Sequence, residues 1–148
     1  MIVTPRGPLP IDHHALGAAC ERLDVRMLVL FGSHATGSPA PGPESDVDIA
    51  LAFDRAGSRP GWWECHESLS PAFGGAPLDV VFLADADPLF RWEIMRAGRL
   101  LWGDPIEHLE FRAFAYRDYT DSEDLRMLER QLFERKMALV RQRLHAPS

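Results

Sequence analysis

A chain of 148 residues, 46% hydrophobic and 26% charged, has the length and composition of one ordinary soluble domain, and such a chain typically buries about 68–70% of its unfolded surface. Its formal net charge of −6, with no basic run before the C-terminal part, disfavours a nucleic-acid polymer as the main substrate, because tracking a duplex needs a basic face that displaces counterions. No apolar stretch reaches the ~20 residues of a membrane span, "MIVTPRGPLPIDHH" has no signal-peptide core, and Cys20 and Cys65 form no C-x-x-C pair, so reduced, packed thiols in a cytoplasmic protein are expected.

In chain order, "IDHHALGAACERL" predicts a first helix with Asp12 as N-cap and Ala15, Leu16, Ala19 and Leu23 on one side. His13 and His14 fall in its first turn as exposed polar residues, since no spaced third metal ligand follows. "VRMLVLF" is a short apolar run that suits a buried strand ending at Gly32. "DVDIALAF" alternates with period two. Val47, Ile49, Leu51 and Phe53 share one face, while Asp46, Asp48, Ala50 and Ala52 share the other, whose alanines leave room above them.

"DRAGSRPG" then reads as a loop, "WWECHESL" as a short helix and "LDVVFL" as a strand interrupted by Asp79. "DPLFRWEIMRAG" has the boundary chemistry of a helix: Asp87 to cap, Pro88 at the first position and Gly98 to close. "LLW" predicts a last short strand. From about Ile106 to Leu144 the chain is helical in character, with a break expected near "RDYTDSED" and a capping box from Thr120 and Glu123 opening the final helix. The expected architecture is an α/β (α+β) domain with a small mixed sheet flanked by helices, spanning 1–148, with a core over about 12–103 and a helical segment over about 104–145.

Three acidic residues stand at strand positions. If their strands are neighbours, Asp46, Asp48 and Asp79 converge, and without a cation they repel one another. Hard oxygen ligands of this kind suit Mg²⁺ that keeps positions for water and phosphates, and a pair of such ions clamps an in-line phosphoryl displacement. Gly32 lets backbone approach a phosphate, Ser33 adds a hydroxyl and an N–H, and a helix start at "SHATG" adds its dipole. Each piece is weak alone; their conjunction is specific.

"LFGSHATG", "SDVDIAL" and "LDVVFL" resemble the three signatures of the DNA polymerase β-type nucleotidyltransferase superfamily. The short chain is similar to its minimal nucleotidyltransferases (MNT domain), many of them antitoxins paired with HEPN-domain toxins. The motif-bearing resemblance covers about residues 12 to 103, and "IMRAGRLLWGDP" looks like the family's closing helix and strand. It implies phosphate binding by Gly32 and Ser33, paired metal ligands at Asp46 and Asp48, and a third carboxylate at Asp79 that helps to activate the acceptor hydroxyl. It also implies a two-metal Mg²⁺ site, ATP as substrate and a HEPN toxin as partner. Two features depart from the pattern. The Ser33-to-Asp46 spacing is two residues longer, through a loop expected to be stiffened by Pro39, Pro41 and Pro43, and Thr36 stands where many relatives have Arg. His34 is expected as an exposed turn residue.

In the last helix Leu125, Leu128, Leu132 and Leu139 fall near one stripe, beside Phe133, Met137, Val140 and Leu144. Completion of the core with a solvated basic face is the favoured reading, and docking of a partner protein is the other. Trp62 and Trp63 are read as packing in preference to adenine stacking. Three functions stand open: an enzyme that moves AMP from ATP onto a tyrosine of a HEPN toxin, an antitoxin that inhibits by binding alone, and an antibiotic-type small-molecule nucleotidyltransferase.

Overall fold

The structure is a computed structural model that describes residues 2–4, 7–36, 46–54 and 59–145. The expected stiff loop with Pro39, Pro41 and Pro43 lies outside the described residues. An N-terminal antiparallel hairpin of β1 (Ile2–Thr4) and β2 (Gly7–Leu9) precedes the first expected helix. It has no pattern signal, because strands of three residues are too short to show a period.

Helix α1 (His13–Leu23) is capped by the Asp12 side chain, which accepts a hydrogen bond from the Ala15 N–H at 3.0 Å. It leads into β3 (Val25–Phe31), a one-turn helix α2 (Ser33–Thr36), β4 (Val47–Phe53), α3 (Trp62–Leu69) and β5 (Leu78–Phe82). Helix α4 (Pro88–Ala97), β6 (Arg99–Trp102) and α5 (Pro105–His145) complete the order. The Asp87 carboxylate caps α4 by accepting from the Phe90 N–H at 2.9 Å, as its sequence signals.

The main sheet has strand order β5-β4-β3-β6, with β3 antiparallel to both β4 and β6 and β4 parallel to β5. A parallel pair needs a crossover, and α3 supplies it. The two faces of β4 divide the core as the alternation predicts. Val47, Ile49 and Leu51 join Leu28, Leu30, Leu16, Cys65 and Phe73 in one buried layer. Ala50 joins Met27, Val29, Leu83, Ile94 and Met95 in the other. The expected open room above the alanines is therefore filled: their small side chains let α4 and the first part of α5 settle on the sheet. Both thiols are buried and free, and burial pushes Cys20 up to about 12.

The C-terminal segment departs most from expectation. Helix α5 runs unbroken through "RDYTDSED", and Thr120 opens no new helix: its hydroxyl donates to the Tyr116 carbonyl at 2.8 Å, one turn back. The propensity cost of Asp, Thr and Ser is a few tenths of a kcal/mol each, too little to interrupt a helix anchored upstream. That anchor is specific. Ala115 is fully buried, Arg91 of α4 pairs with Asp118 at 3.0 Å, and Arg26 of β3 bridges Asp54 and Glu107. From Glu123 onward every described residue of α5 is exposed, so this part projects roughly 35 Å into solvent and completes no core. Completion of the core, the favoured reading for Leu125 to Leu144, therefore fails, and only the first half of α5 packs on the sheet.

Candidate active site

The β3–α2 connection is shaped by one residue. Gly32 has φ 73°, a left-handed conformation, and a Cβ placed there would collide with the Asp48 carboxylate. Only glycine lets that carboxylate lie against the turn. The Gly32 carbonyl collects the N–H groups of Ala35 and Thr36 and the Thr36 hydroxyl, each at 3.1 Å, which closes the single turn of α2. Four residues make too short a helix to carry the expected macrodipole. His34 is half-buried instead of exposed, and neither imidazole nitrogen has a hydrogen-bond partner among the described residues.

Strand register brings the carboxylates together. Asp48 is paired across the antiparallel ladder with Phe31, next to Gly32, and across the parallel ladder with Asp79. Neighbouring strands lie about 4.8 Å apart, so Asp48 and Asp79 are side by side on the α4 face of the sheet. Asp46 is exposed and immediately precedes β4, whose first N–H, that of Val47, donates to the Pro77 carbonyl at 2.7 Å and locks the register. All three aspartates therefore stand at the end of the sheet where the Gly32–Ser33 turn lies. Among the described residues no three His, Cys, Asp or Glu side chains are gathered as ready-made metal ligands.

The Asp48 carboxyl is pushed up from 3.8 to about 6, first by burial and then by the charges of Asp79 and Asp46. No hydrogen bond or ion pair among the described residues neutralises it. The fold thus holds a field that repels its own carboxylate and favours a cation. Between pH 3.8 and about 6 the folded chain keeps a proton that the unfolded chain has released, so Asp48 lowers stability as pH rises through that window. Asp48→Asn should raise the melting temperature of the metal-free protein above about pH 6, and the gain should vanish below about pH 4. Thermal melts in chelator across pH read it directly; a gain independent of pH would assign it to packing instead.

Trp62 is anchored as expected, its indole N–H donating to the Val80 carbonyl at 2.8 Å and its ring stacking on His66, whereas the expected packing of Trp63 fails, since it is 70% exposed. Sequence reasoning assigned nothing to a second cavity, of about 290 Å³, between the turn and α4, lined by Gly32, Thr36, Phe90, Glu93 and Arg96. Glu93 and Arg96, three residues apart, share a face of α4.

Mixed sheet, glycine turn and strand-borne carboxylates together define a nucleotide-transferring α/β domain. Residues 17–106 match the family described as polymerase beta, nucleotidyltransferase, and the chain belongs to that family. Among solved structures, the chain is similar to one in a toxin–antitoxin crystal structure with AMP-PNP, with TM-score 0.62 and 19% identity over 86% of this chain and 99% of that one. It is also similar to a chain of the MntA–HepT toxin–antitoxin, with TM-score 0.57 and 18% identity over 84% and 96%. A third likeness is to a tri-AMPylated Shewanella oneidensis HEPN toxin in complex with MNT antitoxin, with TM-score 0.57 and 18% identity over 84% and 95%. No curated protein matches the sequence. No described helix is long and apolar enough to cross a membrane.

Proposed function

We propose that this nucleotidyltransferase is an MNT-type antitoxin that moves AMP from ATP onto a tyrosine hydroxyl of a HEPN toxin, releasing pyrophosphate. The observation that carries this reading is the in-register pair Asp48 and Asp79 beside the Gly32–Ser33 turn, in a chain of this family. Structures of toxin–antitoxin complexes, one with AMP-PNP and one with a tri-AMPylated toxin, support the nucleotide and the partner. The whole chain acts as one domain, its nucleotide site in the core and its partner surface on α5. Buried, free Cys20 and Cys65 fit action in the reducing cytoplasm.

The donor set fits Mg²⁺ in chemistry: three hard carboxylates, one of them held against its own ionisation, at the end of the sheet where the glycine turn lies. Asp46, Asp48 and Asp79 would hold it. Bound there, Mg²⁺ supplies charge neutralisation and Lewis acidity at the phosphates. The chain's own residues do the rest. Gly32 and Ser33 seat the triphosphate, and Asp79, the more exposed of the paired carboxylates, accepts the proton of the acceptor hydroxyl. The bond formed joins the tyrosine oxygen to the α-phosphorus, and the bond broken links it to the β-phosphate oxygen. Purified chain, Mg²⁺, labelled ATP and the HEPN partner should give partner mass rising in steps of one adenylate, with none in chelator. Label that appears only on small hydroxyl compounds would instead assign the antibiotic-type reaction.

Inhibition by contact alone is the second reading, and the long exposed half of α5 favours it.

A further inference from the structure

We infer that Arg96 of α4 is the cation that grips the outer, non-reacting phosphates of the nucleoside triphosphate. This deepens the function proposed above and rests on nucleotide binding at the Gly32–Ser33 turn. A triphosphate brings several negative charges to a site that already carries three carboxylates. Among the described residues the turn carries no arginine or lysine: Thr36 is neutral, and its hydroxyl is spent on the Gly32 carbonyl at 3.1 Å.

The cavity between the turn and α4 has Gly32 and Thr36 on one wall and Arg96 on the other, over apolar Phe31 and Phe90. Those two rings meet edge to face, with centroids 5.9 Å apart, and stiffen its floor. Arg96 is exposed and, among the described residues, is the cavity's one lining arginine or lysine. Among the described residues it makes no hydrogen bond or ion pair, whereas Arg26, Arg59 and Arg91 are each engaged by carboxylates elsewhere. Glu93 lines the same cavity one turn earlier and forms no ion pair with Arg96 among the described residues, so the guanidinium is not held there for Glu93.

None of the three aspartates lines this cavity, although Gly32 belongs to both it and the Asp48 contact. A nucleotide with its α-phosphorus at the carboxylates and its chain of phosphates along the turn therefore runs its β- and γ-phosphates toward Arg96. A planar guanidinium suits such an end-on, bidentate contact.

The test is calorimetric binding of ATP, AMP and inorganic pyrophosphate, with Mg²⁺, to the parent chain, Arg96→Ala, Arg96→Lys and Glu93→Gln. Loss of a charged hydrogen bond predicts that Arg96→Ala weakens ATP and pyrophosphate by about tenfold or more while AMP is unchanged. Arg96→Lys should recover part of the loss, and Glu93→Gln should not weaken ATP. Each variant is exposed on the surface, and equal melting temperatures would verify the fold. Equal ATP affinity in parent and Arg96→Ala overturns the role of Arg96 and leaves the proposed function standing. A uniform loss across ATP and AMP overturns it too, because it places Arg96 away from the outer phosphates. A parent chain that binds no nucleotide overturns this inference together with the function on which it rests.

Discussion

Replacing Asp46 and Asp48 together by Asn should lower adenylate transfer by about a thousandfold or more while the chain stays folded. Positioning and electrostatic stabilisation supply nearly all of phosphoryl-transfer catalysis, and loss of even one preorganised contact to developing charge costs about 10²–10³ in rate. The double variant removes two anionic oxygens at once from a site whose field favours a cation. Asn keeps the size and strand geometry of Asp, and neither position contributes an ion pair or buried hydrogen bond among the described residues, so packing is preserved. Relief of the repulsion at Asp48 should leave the metal-free variant at least as stable as the parent. The measurement is transfer to the partner by intact mass, with cell protection alongside. A variant that still protects cells as well as the parent would show that contact suffices and would sink the enzymatic account of the biology.

Truncating the apolar face of projecting α5 should separate binding from nucleotide chemistry. Leu132, Phe133, Leu139 and Val140 are 55%, 63%, 60% and 40% exposed, although they are among the most apolar residues of the chain. At helical spacing Leu125, Leu128, Leu132 and Leu139 form one stripe and Phe133, Met137, Val140 and Leu144 a second, with Glu129, Lys136 and Arg143 in line between them. Exposed apolar stripes of this extent mark protein-interaction sites, which fits the partner surface proposed for α5. Substituting those four residues by Ala keeps helix propensity and removes the side chains that would anchor a partner. Affinity for the HEPN partner should fall by about a hundredfold or more, with ATP affinity and melting temperature unchanged. An undiminished complex would move the interface elsewhere, and a change confined to self-association would assign the face to a second copy of this chain.

The contrast between these two regions follows from where each signal is encoded. Caps are local: Asp12 and Asp87 each satisfy an N–H within three residues, so both helix starts are readable from the residues alone. The strands are nearly as local, because alternation at Val47 to Phe53 has period two whatever packs against it. The candidate site was legible for the same reason. Asp48 occupies a strand position whose face is fixed by its alternating neighbours, Asp79 stands out as the one charge in an apolar strand, and the turn glycine sits at the end of an apolar run.

Local pattern encodes most elements, their faces and the residues that could carry chemistry, but neither the N-terminal hairpin nor the unbroken run of α5. Tertiary structure decided which strands are neighbours, and only that placed Asp48 directly beside Asp79 and against Gly32, because register depends on contacts far apart in the chain. It also decided that the alanine face of β4 is covered by α4 and α5, that Arg96 looks across a cavity at the glycine turn, and that His34 is half-buried. The helix end was undecidable locally. "RDYTDSED" has the residues of a break, yet burial of Ala115 and the Arg91–Asp118 pair hold the preceding turns, and a helix already nucleated propagates through weak formers. The apolar stripes beyond it look identical whether they cover a sheet or await a partner; periodicity reports a face, and only the fold shows what lies opposite it.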